Sequence, residues 1–104
     1  MSRFAEDLAE MVANGSKLKG KVIGFPVYHV DGVPIEELNL STRAFNALRR
    51  SQIATIGEIL EIDVYKIRNM GSKSAREVKN AVLNYSYDRM TEKQRQEFWR
   101  EVLA

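Results

Sequence analysis

The chain has 104 residues, with 16 lysines and arginines against 14 aspartates and glutamates, and it contains no cysteine. This length corresponds to one small domain. The absence of cysteine excludes disulfides, thiolate metal sites and thiol nucleophiles. A single histidine, His29, argues against a histidine triad or a multi-histidine metal site. We therefore expect neither a thiol- or histidine-based catalytic residue nor a metal site.

Positive charge is concentrated in the middle of the sequence. Residues 41–80 carry eight bases and four acids, whereas residues 1–40 carry four bases and six acids. A basic middle suits a phosphate backbone, although on charge alone an ordinary solvated surface is the better explanation of this modest excess. No apolar run approaches the ~20 residues of a membrane-spanning helix. The N-terminus has acids where a signal peptide needs a basic start, which predicts a cytoplasmic protein.

The first elements predicted in sequence order are a helix and a strand. Apolar residues recur at helical spacing over residues 2–13, before an Asn-Gly stop. Residues 21–30 are rich in β-branched and aromatic residues, which predicts one short strand or hairpin. His29 is then an ordinary strand residue with a hydrogen bond.

From residue 34 onward the pattern changes to short helices with sharp connections. Ser41 or Thr42 can cap a helix that runs to about Ser51. Thr55 and Glu58 have the spacing of a capping box, which opens a second short helix. These caps predict closely spaced helix starts in the middle of the sequence.

The next segment reads as a turn, a glycine break and a longer helix. Asp63 can cap the turn, and Gly71 suits a backbone with positive φ. The longer helix is predicted over residues 73–84, and residues 86–88 are predicted to separate it from a last helix.

The last helix begins at a capping box formed by Thr91 and Gln94. Its apolar stripe is predicted to pack intramolecularly or to form a homodimer seam, and it consists of Phe98, Trp99, Val102 and Leu103. The fold class is therefore mainly α: a compact bundle of short helices with a helix-hairpin-helix-like element, plus an N-terminal helix and one short strand or hairpin.

The stretch from residue 67 to residue 79 carries the functional signal, because it reads as helix, glycine turn, helix. Gly71 permits close backbone approach, Lys73 adds a charge and Ser74 adds a hydroxyl at the second helix start. A helix N-terminus offers unpaired N–H groups to a phosphate. A helix-hairpin-helix grips the DNA backbone in this way, and a plain turn between helices is the alternative. The spacing does not fit a nucleotide-binding P-loop.

Three blocks, residues 34–50, 55–60 and 66–74, resemble in order the C-terminal domain of the bacterial RNA polymerase alpha subunit. The resemblance covers roughly residues 34–84. It implies an arginine in the DNA minor groove at Arg43, and an acid at Glu77 that orients Arg43 or Lys73. The full set of implied DNA contacts is Arg43, Asn46, Ala47, Gly71, Lys73, Ser74 and Glu77. Arg49 and Arg50, at the end of the same helix as Arg43, are expected to add phosphate contacts, with an ordinary solvated pair as the alternative.

The resemblance also implies protein partners. A contact surface just before the first helix of the domain maps to Glu36, Glu37 and Asn39, with Asn39 standing where an acid is common. The implied partners are A·T-rich double-stranded DNA and, on the protein side, RNA polymerase, a sigma factor or a transcription regulator. No membrane partner is expected.

These inferences divide the sequence into residues 1–33, a helix plus extended segment; residues 34–85, the DNA-binding core; and residues 86–104, an amphipathic helix. We expect a nucleoid-associated transcription protein, free-standing or an excised domain, that recognises A·T-rich minor grooves. It should have no catalytic residue, no cofactor and no enzyme activity by itself. One alternative is a protein-interaction adaptor that keeps the fold without DNA binding. Another is a nuclease or ligase accessory with a generic helix-hairpin-helix.

Overall fold

Five α-helices account for most of the residues that the structure describes. The computed structural model describes residues 3–16 and 27–103. The α-helices are α1 (Arg3–Ala13), α2 (Thr42–Arg50), α3 (Ile56–Leu60), α4 (Ser72–Arg89) and α5 (Glu92–Val102), and 3-10 turns lie at Ile35–Leu38 and Val64–Lys66. The prediction of a mainly α fold is confirmed. No helix among the described residues is long and apolar enough to cross a bilayer.

Only part of the strand predicted over residues 21–30 lies within the residues that the structure describes. Residues 21–26 lie outside the described residues, and residues 27–30 do not form a strand. His29 adopts a left-handed backbone with φ of 61°, which a strand residue does not do. Its Nε2 lies 3.1 Å from Oε1 of Gln94. The prediction of His29 as a strand residue is therefore wrong, while the hydrogen bond is present.

The protein separates into two compact units, which we name the terminal unit (Met1–His29 with Ser86–Ala104) and the central unit (Val30–Tyr85). The helix α4 contributes its N-terminal part to the central unit and its last residues to the terminal unit. The three-part division of the sequence at residues 33 and 85 stays a prediction.

The central unit is organised by helix caps that the sequence predicts correctly. The Ser41 side chain accepts from Ala44 N at the start of α2, and the Asp63 side chain accepts from Tyr65 N at the second 3-10 turn. An isolated antiparallel bridge joins Pro34 to Thr55 and holds the entry to the first 3-10 turn beside the entry to α3. The core beneath them is aliphatic and includes Ile35, Leu48, Ile56, Val78 and Ala75.

The capping box at the start of α3 is only half formed. The hydroxyl of Thr55 accepts from Glu58 N at 3.3 Å, as predicted. The Glu58 carboxylate, however, accepts from the Thr55 hydroxyl at 3.2 Å instead of from its backbone N–H.

The predicted break at residues 86–88 is wrong, because α4 continues to Arg89. Ser86 and Tyr87 are fully buried, so this turn of the helix is fixed by packing. The Ser86 hydroxyl accepts from Tyr28 N at 2.7 Å and donates to Tyr28 O at 3.0 Å. A serine inside a helix usually competes for backbone bonds, and here its hydroxyl is satisfied by a different segment.

The terminal unit is held by an aromatic cluster from α1, the end of α4 and α5. The Phe4 ring stacks on Trp99 at 5.6 Å and meets Tyr87 edge-on at 5.3 Å. Phe98 meets Trp99 edge-on at 5.2 Å. The stripe of α5 therefore packs intramolecularly, which is one of the two alternatives that the sequence left open. An ion pair of 2.8 Å between Arg3 and Glu92 also links α1 to α5.

A hydrogen-bonded tyrosine lies inside this cluster. The Tyr87 hydroxyl donates to Asp7 Oδ2 and accepts from Trp99 Nε1 at 2.8 Å. Burial, reinforced by the hydrogen bond to Asp7, raises the pKa of Tyr87 to about 12. The neutral phenol is therefore the form that the folded terminal unit requires.

We expect the stability of the terminal unit to fall in strong alkali. Below pH 10 the phenol is neutral in both the folded and the unfolded state, so its contribution is complete. Between about pH 10 and pH 12 only the unfolded state ionises, which removes up to about 2–3 kcal/mol of unfolding free energy. Urea unfolding at pH 8.5 and pH 11 measures this loss. The variant Tyr87→Phe has no phenol to ionise and should lose less; equal losses in both proteins would contradict the assignment.

Candidate functional site

The helix α2 presents a polar stripe at positions i, i+3 and i+7. Arg43, Asn46 and Arg50 occupy it and are exposed. Ala47 lies at i+4 of the same series but is buried at 2% exposure. The opposite side of the helix, with Ala44 and Leu48, is buried as well. Small and aliphatic residues of α2 therefore pack into the core of the central unit.

The turn before α4 has a different backbone conformation from the one that the sequence predicts. The residue with left-handed backbone is Asn69, with φ of 66°, and Gly71 does not have positive φ. Asparagine tolerates this region better than most residues, so the turn does not need the glycine there. Instead, the Gly71 carbonyl accepts from Ala75 N at 2.9 Å and opens the helix. Met70 is buried and anchors the turn.

The two helix starts meet at Gly71. A methyl group placed on Gly71 would lie 3.8 Å from Nη2 of Arg43. The Arg43 guanidinium therefore lies beside the N-terminus of α4, where the positive end of the helix dipole and unpaired N–H groups are found. Sequence reasoning places Arg43 and Gly71 in one site, and the structure brings them together.

Lys73 and Ser74 complete the first turn of α4. Lys73 is exposed, whereas Ser74 is buried at 8% exposure. Within residues 3–16 and 27–103, neither Arg43 nor Lys73 forms an ion pair, and the Ser74 hydroxyl has no hydrogen-bond partner. In this part of the structure, Arg43 thus lies beside a helix start whose first turn carries the exposed Lys73 and the buried Ser74, and no carboxylate pairs with either cation.

Among the described residues, Glu77 bonds directly to neither Arg43 nor Lys73, which corrects the direct charge-assisted bond expected from the resemblance. Its Oε2 accepts from Ser41 N at 2.6 Å, and its Oε1 accepts from the Ser41 hydroxyl at 2.8 Å. The carboxylate is therefore committed to the N-cap of α2. Sequence reasoning missed this bond, because the two residues are far apart in sequence.

The residues of the predicted protein-contact surface before α2 do not share one set of interactions. Glu36 forms an ion pair with Arg49 at 3.4 Å, and the Arg49 guanidinium also lies over the Phe45 ring at 5.7 Å. Glu37 is exposed. Asn39 has a left-handed backbone with φ of 52°, which favours asparagine over most other residues at this position.

The geometry first defines the class of protein: a small helical module in which two helix starts meet beside cations that form no ion pair within the part of the chain that the structure describes. Comparison with known proteins is consistent with this class. Residues 29–84 match the family model that describes the C-terminal domain of the alpha subunit of bacterial RNA polymerase. Since this match spans more than half of the sequence, the protein belongs to that family.

Individual relatives match the same region. The sequence is 48% identical over 56 residues to a DNA-directed RNA polymerase subunit alpha of Cyanophora paradoxa, a match that spans 51% of this protein and 18% of the relative. It is 52% identical over 56 residues to that of Gloeobacter violaceus, with the same coverage. For Cutibacterium acnes the identity is 53% over 51 residues, covering 46% and 15%. The matched region thus spans less than a fifth of the length of these relatives.

Proposed function

We propose that the central unit binds double-stranded DNA across A·T-rich minor grooves and acts in transcription. The observation that carries this proposal is the Arg43 guanidinium beside the start of α4, without a carboxylate partner among the described residues. A bound phosphate would accept hydrogen bonds from the N–H groups of the helix start, from the Lys73 ammonium and from the Ser74 hydroxyl. The positive charges there would then be compensated.

The choice of minor groove follows from the kind of cation. Arginine is favoured in narrow A-tract minor grooves, where the negative potential is focused. Asn46 lies one helical turn from Arg43 and can donate to base edges or backbone, while Arg50 extends the stripe towards a further phosphate. The minor groove displays only a degenerate code, so the preference should be for A·T-rich DNA and not for one sequence.

Protein contacts are proposed for the acidic surface before α2. The named relatives are subunits of DNA-directed RNA polymerase, and RNA polymerase, a sigma factor or a regulator would be the partner. Glu37 is the residue best placed for such a contact, since Glu36 is already paired with Arg49. The module itself would be non-catalytic, and its place would be the nucleoid in the cytoplasm.

The test is fluorescence anisotropy of a labelled A-tract duplex and a G·C-rich duplex at two salt concentrations. We expect tighter binding to the A-tract, and a steep loss of affinity for both as salt rises, because a few phosphate contacts release counterions. Equal binding to both duplexes would leave a generic helix-hairpin-helix. No binding at low salt would contradict the proposal and favour the protein-interaction adaptor.

A further inference from the structure

We infer that Ser41 is a positioning residue for Arg43, acting through a capping box that is completed by Glu77 of another helix. In an ordinary capping box the N-cap hydroxyl accepts from the backbone N–H of position N3, and the N3 side chain accepts from the N-cap N–H. The helix α5 is such a case. Gln94 N donates to the Thr91 hydroxyl at 3.1 Å, and Thr91 N donates to Gln94 Oε1 at 2.9 Å.

The helix α2 lacks the second half of this arrangement in its own sequence. Ser41 is the N-cap, and its hydroxyl accepts from Ala44 N at 3.3 Å. Position N3 is therefore Ala44, whose side chain has no acceptor. Glu77 supplies the acceptor from α4 and receives both the N–H and the hydroxyl of Ser41. The hydroxyl of Ser41 is thus a donor to α4 and an acceptor within α2 at the same time.

This bond links the two elements that carry the candidate DNA contacts. Arg43 lies two residues after Ser41, and Lys73 and Ser74 lie in the turn of α4 before Glu77. Charge-assisted hydrogen bonds from one carboxylate to two donors fix both distance and orientation. The pair therefore sets where the Arg43 guanidinium lies relative to Gly71. It also keeps the carboxylate occupied, so that it does not neutralise Arg43.

The inference rests on the proposed function. It predicts a change in DNA affinity opposite to the change that simple electrostatics predicts. Removing an acid from a DNA-binding surface should strengthen binding, because repulsion of phosphate is lost. If Glu77 acts by positioning, Glu77→Ala should weaken A-tract binding instead, by about five- to tenfold, as expected for loss of a charge-assisted cap. The matched control is Glu61→Ala, which removes an exposed acid of the same unit and should leave binding unchanged or tighter.

The decisive experiment is a double-mutant cycle with two readouts. One readout is the affinity for an A-tract duplex, measured by fluorescence anisotropy at a temperature below the thermal unfolding midpoint of every variant. The other is the NMR signal of the Arg43 Nε–Hε group in the protein without DNA. Ser41→Ala and Glu77→Ala should each weaken binding by a similar factor and shift the Arg43 signal alike, and the double variant should add no further loss. Ser41→Thr should retain wild-type behaviour in both readouts.

Other outcomes overturn the inference or separate it from the proposed function. If Glu77→Ala weakens binding and Ser41→Ala does not, Glu77 acts on DNA or on a cation directly, and the inference is wrong. If the Arg43 signal is unchanged in both variants, the inference is wrong whatever the DNA result. If wild-type protein does not bind DNA but both variants shift the Arg43 signal, the proposed function fails and the positioning role stands.

Discussion

Replacing Arg43 with alanine should reduce affinity for an A-tract duplex by roughly five- to 150-fold, the effect of about 1–3 kcal/mol. The guanidinium lies beside the start of α4 and has no ion-pair partner among the described residues, so its whole charge is available to DNA. The slope of log affinity against log salt should become less steep by about one, since one fewer cation releases counterions from the DNA. Titration of labelled duplexes at several salt concentrations measures both changes.

The matched control is Arg49→Ala, which removes the same charge from the same helix. Arg49 is already paired with Glu36 and lies over the Phe45 ring, so its loss should change affinity and salt slope much less. Arg43→Lys adds a test of chemistry, because an ammonium keeps the charge but not the planar group favoured in a narrow groove. Equal losses for Arg43→Ala and Arg49→Ala would mean that binding depends on net charge and not on the site.

The stability of the central unit should not explain the loss. Arg43 is exposed, and substitutions at exposed positions without such contacts usually change unfolding free energy by less than about 0.5 kcal/mol. A thermal unfolding midpoint close to that of the wild type, measured on the same preparation, would separate lost DNA contact from lost fold.

Local signals in the sequence predict the helices of this protein well, because they act within one turn. The caps at Ser41, Asp63 and Thr91 each form with a neighbour two or three residues away. The spacing of polar residues on α2 likewise places Arg43 and Asn46 on one side of the helix. Such features require only short-range geometry, so a single sequence suffices to find them.

The misses have physical causes that a single sequence does not display. In the sequence, Ser86 indicates a helix break. In the structure its hydroxyl bonds to the backbone of Tyr28, 58 residues away, and the helix continues. Gly71 is the residue for which the sequence predicts positive φ, but Asn69 takes that conformation instead. At Ser86 a tertiary contact overrides the local preference, which a single sequence does not display.

The bond between Ser41 and Glu77 is the clearest example at the site. The sequence signal for it exists: an N-cap serine followed at N3 by Ala44, which lacks the acceptor of a capping box. That absence indicates that an acceptor must come from elsewhere or from water. It does not indicate which acid supplies it, because the partner lies 36 residues further along the sequence. The fold alone identifies Glu77.

The largest expected effect on stability is at Phe98 in the terminal unit. Phe98→Ala should lower the unfolding free energy of that unit by about 3–5 kcal/mol, the usual cost of emptying a fully buried aromatic site. Phe98 is 2% exposed and packs edge-on against Tyr87 at 5.6 Å and Trp99 at 5.2 Å. Since Trp99 is the only tryptophan of the protein, its fluorescence during urea unfolding reports on this cluster directly.

The control for Phe98→Ala is Val12→Ala on α1. Val12 is 58% exposed, so its shortening should change stability by less than about 0.5 kcal/mol. A loss below about 1 kcal/mol for Phe98→Ala would mean that the ring is not part of a tightly packed core. A large loss would show that residues beyond the family match at 29–84 form a core of their own. A core built from α1, α5 and the end of α4 would then be a structured addition to the alpha C-terminal domain and not a flexible tail.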